Sequence, residues 1–146
     1  MDQKIIYKEL SYEIIGILFN VFEELGYDYH EKYYERAIAK CLISKGIPFK
    51  RQFPAQILFN KEKIGQVFFD FLIDDKIVLE IKVGNRFLRN NFAQVKNYLK
   101  ASGKQLGILA NFTSNGVKFY RILNIHGNIQ GEVKTYKLTN YKKFTI

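Results

Sequence analysis

V-L-E-I-K-V-G occupies residues 78–84, and V-F-F-D-F-L-I lies just upstream at 67–73. These are the most apolar, β-branched and aromatic stretches of the chain, and they read as strands. Yet they contain Asp70, Glu80 and Lys82, and a buried charge is costly unless something pairs with it. Side chains alternate along a strand, so Glu80 and Lys82 share one face, roughly 6–7 Å apart, with Leu79, Ile81 and Val83 on the other. In the preceding strand Phe69, Phe71 and Ile73 are expected to face one way, and Phe68, Asp70 and Leu72 the other. Residues 74–76 set the register. A three-residue loop pairs Ile73 with Ile77 and places Asp70 opposite Glu80, with Cβ atoms about 4.5–5.5 Å apart. A two-residue loop sends the carboxylates to opposite faces.

Two carboxylates that close repel each other unless a proton or cation stands between them. Lys82 supplies one positive charge nearby, and a divalent metal supplies more. Hard cations such as magnesium are held by one or two carboxylates while keeping waters and binding substrate phosphates. A lysine beside such an ion orients water or stabilises charge developing on a phosphate. The alternative is an Asp–Lys–Glu cluster that satisfies itself at a sheet end. Apolar flanks on both faces weigh against a merely solvated E-x-K.

Ile14, Ile15, Leu18, Val21, Phe22 and Leu25 follow helical spacing, which Gly26 stops. Tyr33, Tyr34, Ala37, Ile38, Cys41 and Leu42 signal a second helix, ended by Gly46 with Pro48 beyond. Asp28 and Glu31 have the spacing of a capping box at its start. Strands follow: Phe53, Ala55, Ile57 and Phe59 alternate, residues 60–63 turn, and the next strands run over about 65–73 and 77–83. A helix returns near Leu88, with Leu88, Phe92, Val95 and Leu99 on one stripe and Gly103 at its end. Residues 106–112 and 117–123 read as strands, and the tail after His126 is polar with weak strand character. The order α-α-β-β-β-α-β-β predicts an α/β (α+β) domain over residues 1–146, a mixed sheet flanked by helices.

The chain has 146 residues, 47% hydrophobic and 25% charged, an ordinary composition for a soluble single domain. No apolar run approaches the roughly 20 residues of a membrane span, and the N-terminus lacks a signal-peptide segment. The lone Cys41 excludes an internal disulfide and fits a reducing compartment, so a cytoplasmic location is expected. It sits at a core spacing and gives no reason to be a nucleophile. The net charge of +9 suits a polyanionic partner such as nucleic acid, although an A/T-rich genome also enriches lysine. His30 and His126 lack any metal-ligand spacing and are read as non-ligands.

F-D-F-L-I-D-D-K-I-V-L-E-I-K at 69–82 resembles the D-x(n)-E-x-K core of the PD-(D/E)XK nuclease superfamily. Within it, the chain is similar to the small GxxExxY proteins. That likeness is carried by L-G-Y-D-Y-H-E-K-Y-Y-E-R-A at 25–37, Q-V-K-N-Y-L-K-A-S-G at 94–103 and G-I-L-A-N-F at 107–112. Of the signature itself Glu31 and Tyr34 match, while Asp28 stands where its first glycine belongs. The resemblance implies a restriction-endonuclease-like core and a magnesium- or manganese-dependent nuclease. It makes Asp70 and Glu80 metal ligands, Lys82 the catalytic lysine, and Glu31 a further acid and metal ligand from a helix. A first-turn glutamate also stabilises a helix without chemistry. Tyr34 lies on the apolar stripe and is read as core. Gln94 and Tyr98, neighbours on one helix face, look like the Q-x-x-x-Y element of the exonuclease-like branch, beside the active site, or equally like an ordinary polar face. Arg86, Arg89, Lys96, Lys100 and Lys104 surround that helix as candidate phosphate contacts or as a solvated face.

The expected function is hydrolysis of nucleic-acid phosphodiesters, DNA ahead of RNA, with no membrane partner and a homodimer left open. The alternatives are a catalytically silent module of the same fold that binds nucleic acid or protein, and a purely structural scaffold.

Overall fold

The computed structural model describes residues 6–86, 89–125 and 128–137. The architecture is the expected α+β: three helices and one six-stranded mixed sheet among the described residues. Helices α1 (Lys8–Leu25) and α2 (Glu31–Ser44) come first, then strands β1 (Phe49–Phe59), β2 (Glu62–Ile73) and β3 (Ile77–Val83). Helix α3 (Arg89–Ser102) crosses over to β4 (Leu106–Thr113), followed by β5 (Gly116–Ile125) and β6 (Asn128–Lys137). The strands lie side by side in chain order. β3 and β4 run parallel and all other neighbours antiparallel. A parallel pair needs a crossover, and α3 supplies it. β6 departs from the expected order: the polar tail does form a strand, paired with β5 along its whole length. Leu88 and His126 lie outside the described residues.

The sheet is covered on both faces. On one side Phe71, Ile73, Ile77, Leu79, Ile81, Ile108 and Phe112 pack beneath α1 and α2. On the other, Ala55, Phe69, Leu72, Val78 and Ile122 pack with Val95 and Leu99 of α3. β3 is therefore buried on both faces, as central strands of such sheets are.

Tyr34 is core, as its spacing suggests. It is fully buried, its ring stacks on Phe112 at 4.5 Å, and its hydroxyl donates to the Gly26 carbonyl at the end of α1. The capping box does not form. Asp28 takes a left-handed φ of 86°, and His30, not Asp28, is the N-cap of α2, with no side-chain cap bond. Glu31 is thereby released from helix capping.

Alternation also breaks, and this corrects the expected facing of β2. Phe69 and Leu72 join the α3 side, whereas Phe71 and Ile73 join the α1–α2 side. β1 switches at the same level, since Phe49 packs on the α1–α2 side and Phe53 and Ala55 on the α3 side. The cause is local: the β1–β2 register runs from Arg51↔Phe71 to Phe53↔Phe69, and the intervening Gln52 has a left-handed φ of 48°. That kink turns the outer part of both strands towards α3.

Gly107 sets how closely α3 approaches. A Cβ there would collide with Cγ1 of Val95, a β-branched side chain with little rotamer freedom in a helix. Asn124 fastens the far end, its amide donating to the carbonyls of Leu99 (3.0 Å) and Lys104 (3.2 Å). Gly107→Ala is expected to push α3 off the sheet and cost about 1–3 kcal/mol, the usual range for overpacking. Urea denaturation checks this, and an unchanged midpoint and slope would contradict so close a contact.

Candidate active site

Asp74 and Asp75 both adopt left-handed φ values, 51° and 55°, a conformation aspartate tolerates. They close the β2–β3 hairpin so that Ile73 pairs with Ile77 across a three-residue loop. The ladder continues through Leu72↔Val78 and Phe71↔Leu79 and then stops. At the next level stand Asp70 and Glu80. Here the strands part, and side chains replace backbone acceptors: Glu80 Oε1 accepts from the Asp70 amide at 2.9 Å, and Asp70 Oδ2 accepts from the Ile81 amide at 2.7 Å. Both residues are buried. The apolar strands hold these acids because two buried N–H groups need partners where the ladder opens.

Each carboxyl keeps a second oxygen on a looser side-chain partner. Glu80 Oε2 accepts from Asn91 Nδ2 of α3 at 3.2 Å, and Asp70 Oδ1 accepts from Gln52 Nε2 at 3.4 Å. Gln52 also donates to Glu35 Oε1 at 2.9 Å, which Arg51 pairs at 3.1 Å. Glu31 meets Lys82, Oε1 to Nζ at 3.5 Å. In the parallel β3–β4 ladder Lys82 is level with Asn111. Asn111 Nδ2 donates to the Arg86 carbonyl at 3.4 Å, while its Oδ1 is buried with no hydrogen-bond partner. Asn85, just beyond β3, is fixed as well, its Oδ1 accepting from both the amide and the hydroxyl of Ser114.

Electrostatics follow from this crowding. Burial, and then the neighbouring charge of Asp70, push the Glu80 carboxyl up from 4.5 to about 8. Burial likewise raises Asp70 and, with Lys82 opposing, Glu31. Four carboxyls (Glu31, Glu35, Asp70, Glu80) thus gather around two cations (Arg51, Lys82) in a chain of net charge +9. Fully ionised, the cluster falls two positive charges short. A divalent cation matches that deficit, and the donors are hard oxygens suited to magnesium or manganese. Each acid has one oxygen anchored by a backbone amide, and the two carboxyls also hydrogen-bond each other, a contact that needs a proton and that a cation would replace, so the residues fit the ion. Among the described residues no group of three or more acids, histidines or cysteines is arranged as a metal cage. Asp70 and Glu80 form the pair, and Glu31 stands against Lys82.

The other nominated residues are placed differently. Tyr98 packs its ring against Phe53 (5.7 Å) and Phe69 (5.3 Å), and with Gln94 it lines a groove of about 340 Å³ against Ala55, Ile57, Leu58 and Val67. Among the described residues the α3 side chain that reaches the acids is Asn91, not Gln94 or Tyr98. The stripe that seats α3 runs through Val95 and Leu99; Asn91 is one turn before Val95 on that stripe, whereas Gln94 and Tyr98 lie to its side, over the kinked β1–β2 ribbon. Arg86, Arg89, Lys96 and Lys100 are exposed. Lys104 is tied to Asp75, through its carbonyl at 2.9 Å and its carboxylate at 3.5 Å. Cys41 is half-buried and burial raises its thiol pKa, which makes it a poor nucleophile. Sequence reasoning missed Gln52, Glu35, Asn91 and Asn111. Asn91 carried a readable signal, four residues before Val95; Gln52 depends on a kink with no local signature.

Among the described residues no helix is long and apolar enough to cross a membrane. No curated protein and no solved structure matches the chain. A family model described as the PD-(D/E)XK nuclease superfamily matches residues 8–122, from the start of α1 to the middle of β5, and so takes in every residue of the acid cluster. The chain belongs to the PD-(D/E)XK nuclease superfamily.

Proposed function

We propose that the protein is a metal-dependent nuclease that hydrolyses nucleic-acid phosphodiester bonds, DNA ahead of RNA, with its centre at the fork between β2 and β3. One observation carries the reading: four carboxyls, three of them buried, face two cations in a strongly basic chain. Glu31 and Tyr34, the matched positions of the GxxExxY signature, favour that branch of the superfamily.

Asp70 and Glu80 would hold the cation, magnesium or manganese. When bound it supplies charge neutralisation and a more acidic water for attack on phosphorus. Lys82, a compact charge with three donors, stabilises negative charge developing on the phosphate. Glu31 keeps Lys82 in place, Asn91 sets the plane of the Glu80 carboxyl, and Gln52 steadies Asp70. Arg86 and Arg89, just beyond β3, are placed for phosphates of the incoming strand, with Lys96 and Lys100 further along α3.

Incubation with mixed nucleic acids tests the activity. Cleavage is expected with magnesium or manganese and not with chelator, and Lys82→Ala should lower it by about 10²–10³-fold, as removal of one charge-stabilising donor does. Wild type and Lys82→Ala that both leave every substrate intact would refute the reading.

The acid pair makes a second prediction. Glu80 releases its proton near 4.5 when unfolded and near 8 when folded. The metal-free fold is therefore favoured fully below the lower value and loses that stabilisation as pH rises to about 8. Denaturation in chelator across this range should show falling stability, and Glu80→Gln should flatten the profile. A pH-independent wild type would contradict the shared burial of the two acids.

Metal removal gives a third. At concentrations near a hundred times the dissociation constant, the ion should stabilise wild type by about 2.7 kcal/mol. Asp70→Asn keeps an acceptor for the Ile81 amide and removes repulsion, so in chelator it should melt at or above wild type yet gain nothing from metal. A mutant strongly destabilised in chelator, beside a wild type indifferent to both ions, would mark the charges as structural.

A further inference from the structure

The geometry points to a single-stranded substrate, with Tyr29, in the connection that leads into Glu31, as a stacking platform for an unpaired base. The inference rests on the nuclease reading for where the strand leads, but it is tested by binding alone.

Tyr29 belongs to the short connection between α1 and α2. Its side chain is 50% exposed and that of Tyr33 41%. The Tyr29 ring is nevertheless braced. Tyr33 stands at 6.1 Å and 76° to it, and Tyr34 at 6.5 Å and 79°. The Tyr29 amide also faces the Tyr34 hydroxyl at 3.5 Å. Tyr34 is fully buried against Phe112, so the brace is rooted in the core. A large ring held still and left half open contributes less to the fold than one buried, and it has lost little freedom that binding would otherwise cost.

Position and charge specify the ligand. Glu31, two residues along the chain from Tyr29, contacts Lys82, so the backbone that carries the ring leads directly into the proposed centre. Lys32 Nζ and Arg36 Cζ lie 5.2 and 5.8 Å from the Tyr33 ring centroid, where phosphates flanking a stacked base would run. Aromatic rings beside basic groups are the elements of single-strand recognition. Inside a duplex the base faces are already stacked on one another and offer nothing to such a ring.

The test is affinity in chelator, where cleavage does not interfere, for labelled single-stranded DNA, single-stranded RNA and the corresponding duplex. Wild type should prefer at least one single strand to the duplex. Tyr29→Ala should weaken that complex about 5- to 150-fold, which is what ~1–3 kcal/mol per stacked base converts to, and Tyr29→Phe should restore it. The chain has no tryptophan, so Tyr29→Trp adds a single reporter whose fluorescence the preferred strand should quench, while Ile43→Trp at the far end of α2 should stay unquenched. This second variant keeps the ring and hence the loop. The proposal is overturned if the duplex binds at least as tightly as both single strands, if Tyr29→Ala and wild type bind alike, or if Tyr29→Trp is not quenched. Binding as predicted without cleavage in magnesium or manganese would leave the platform standing and remove the nuclease. Cleavage indifferent to Tyr29 would do the reverse.

Discussion

The missing rung above Phe71↔Leu79 is the constraint on which the site depends. Where β2 and β3 part, the amides of Asp70 and Ile81 lose the carbonyls a continuing ladder would offer. An unsatisfied buried amide costs about 1–3 kcal/mol, and water has poor access between two covered faces. The carboxyls of Glu80 and Asp70 serve instead. The same two bonds that complete the backbone hold both acids out of water, and that burial raises both carboxyl pKa values, the charge of Asp70 adding to the rise of Glu80. Structural need and chemical potential thus reside in the same four oxygens.

The remainder of the fold stabilises that opening. The left-handed Gln52 turns β1 and β2 aside at the level of the fork and sends its own amide to Glu35 and Asp70. The diverted ribbon carries Phe53, Ala55 and Phe69 to α3. Gly107 lets that helix sit close to the sheet, and its Val95–Leu99 stripe aims Asn91 at Glu80. From the opposite face, the missing capping box leaves Glu31 free to meet Lys82. Both layers thus contribute side chains to one gap in the sheet.

Much of this was legible in the sequence. The β-branched runs located the hairpin at 74–76, and of the two loop lengths the sequence left open, the three-residue one that pairs the acids is the one that forms. The helices of the first half followed from apolar periodicity and glycine stops, and Tyr34 was readable as core from its place on the stripe. What failed did so for identifiable reasons. Strict alternation put Phe69 with Phe71, but a left-handed glutamine fifteen or more residues away changed the facing. The Asp28–Glu31 spacing suited a capping box that the backbone at Asp28 rules out. Gln94 and Tyr98 were nominated by likeness alone; helix docking sets them along a groove against β1 and β2, with Asn91 on Glu80. β6 was underestimated since a polar edge strand takes its stability from its partner's backbone rather than from its own pattern.

The most direct test of the central claim is a crystal structure grown or soaked with manganese, read through its anomalous difference density. A peak is expected in the fork, within ligand distance of Asp70 and Glu80, and it should disappear in Asp70→Asn. A fork without density in crystals saturated with manganese, or a peak bound elsewhere and unaffected by Asp70→Asn, would contradict that claim.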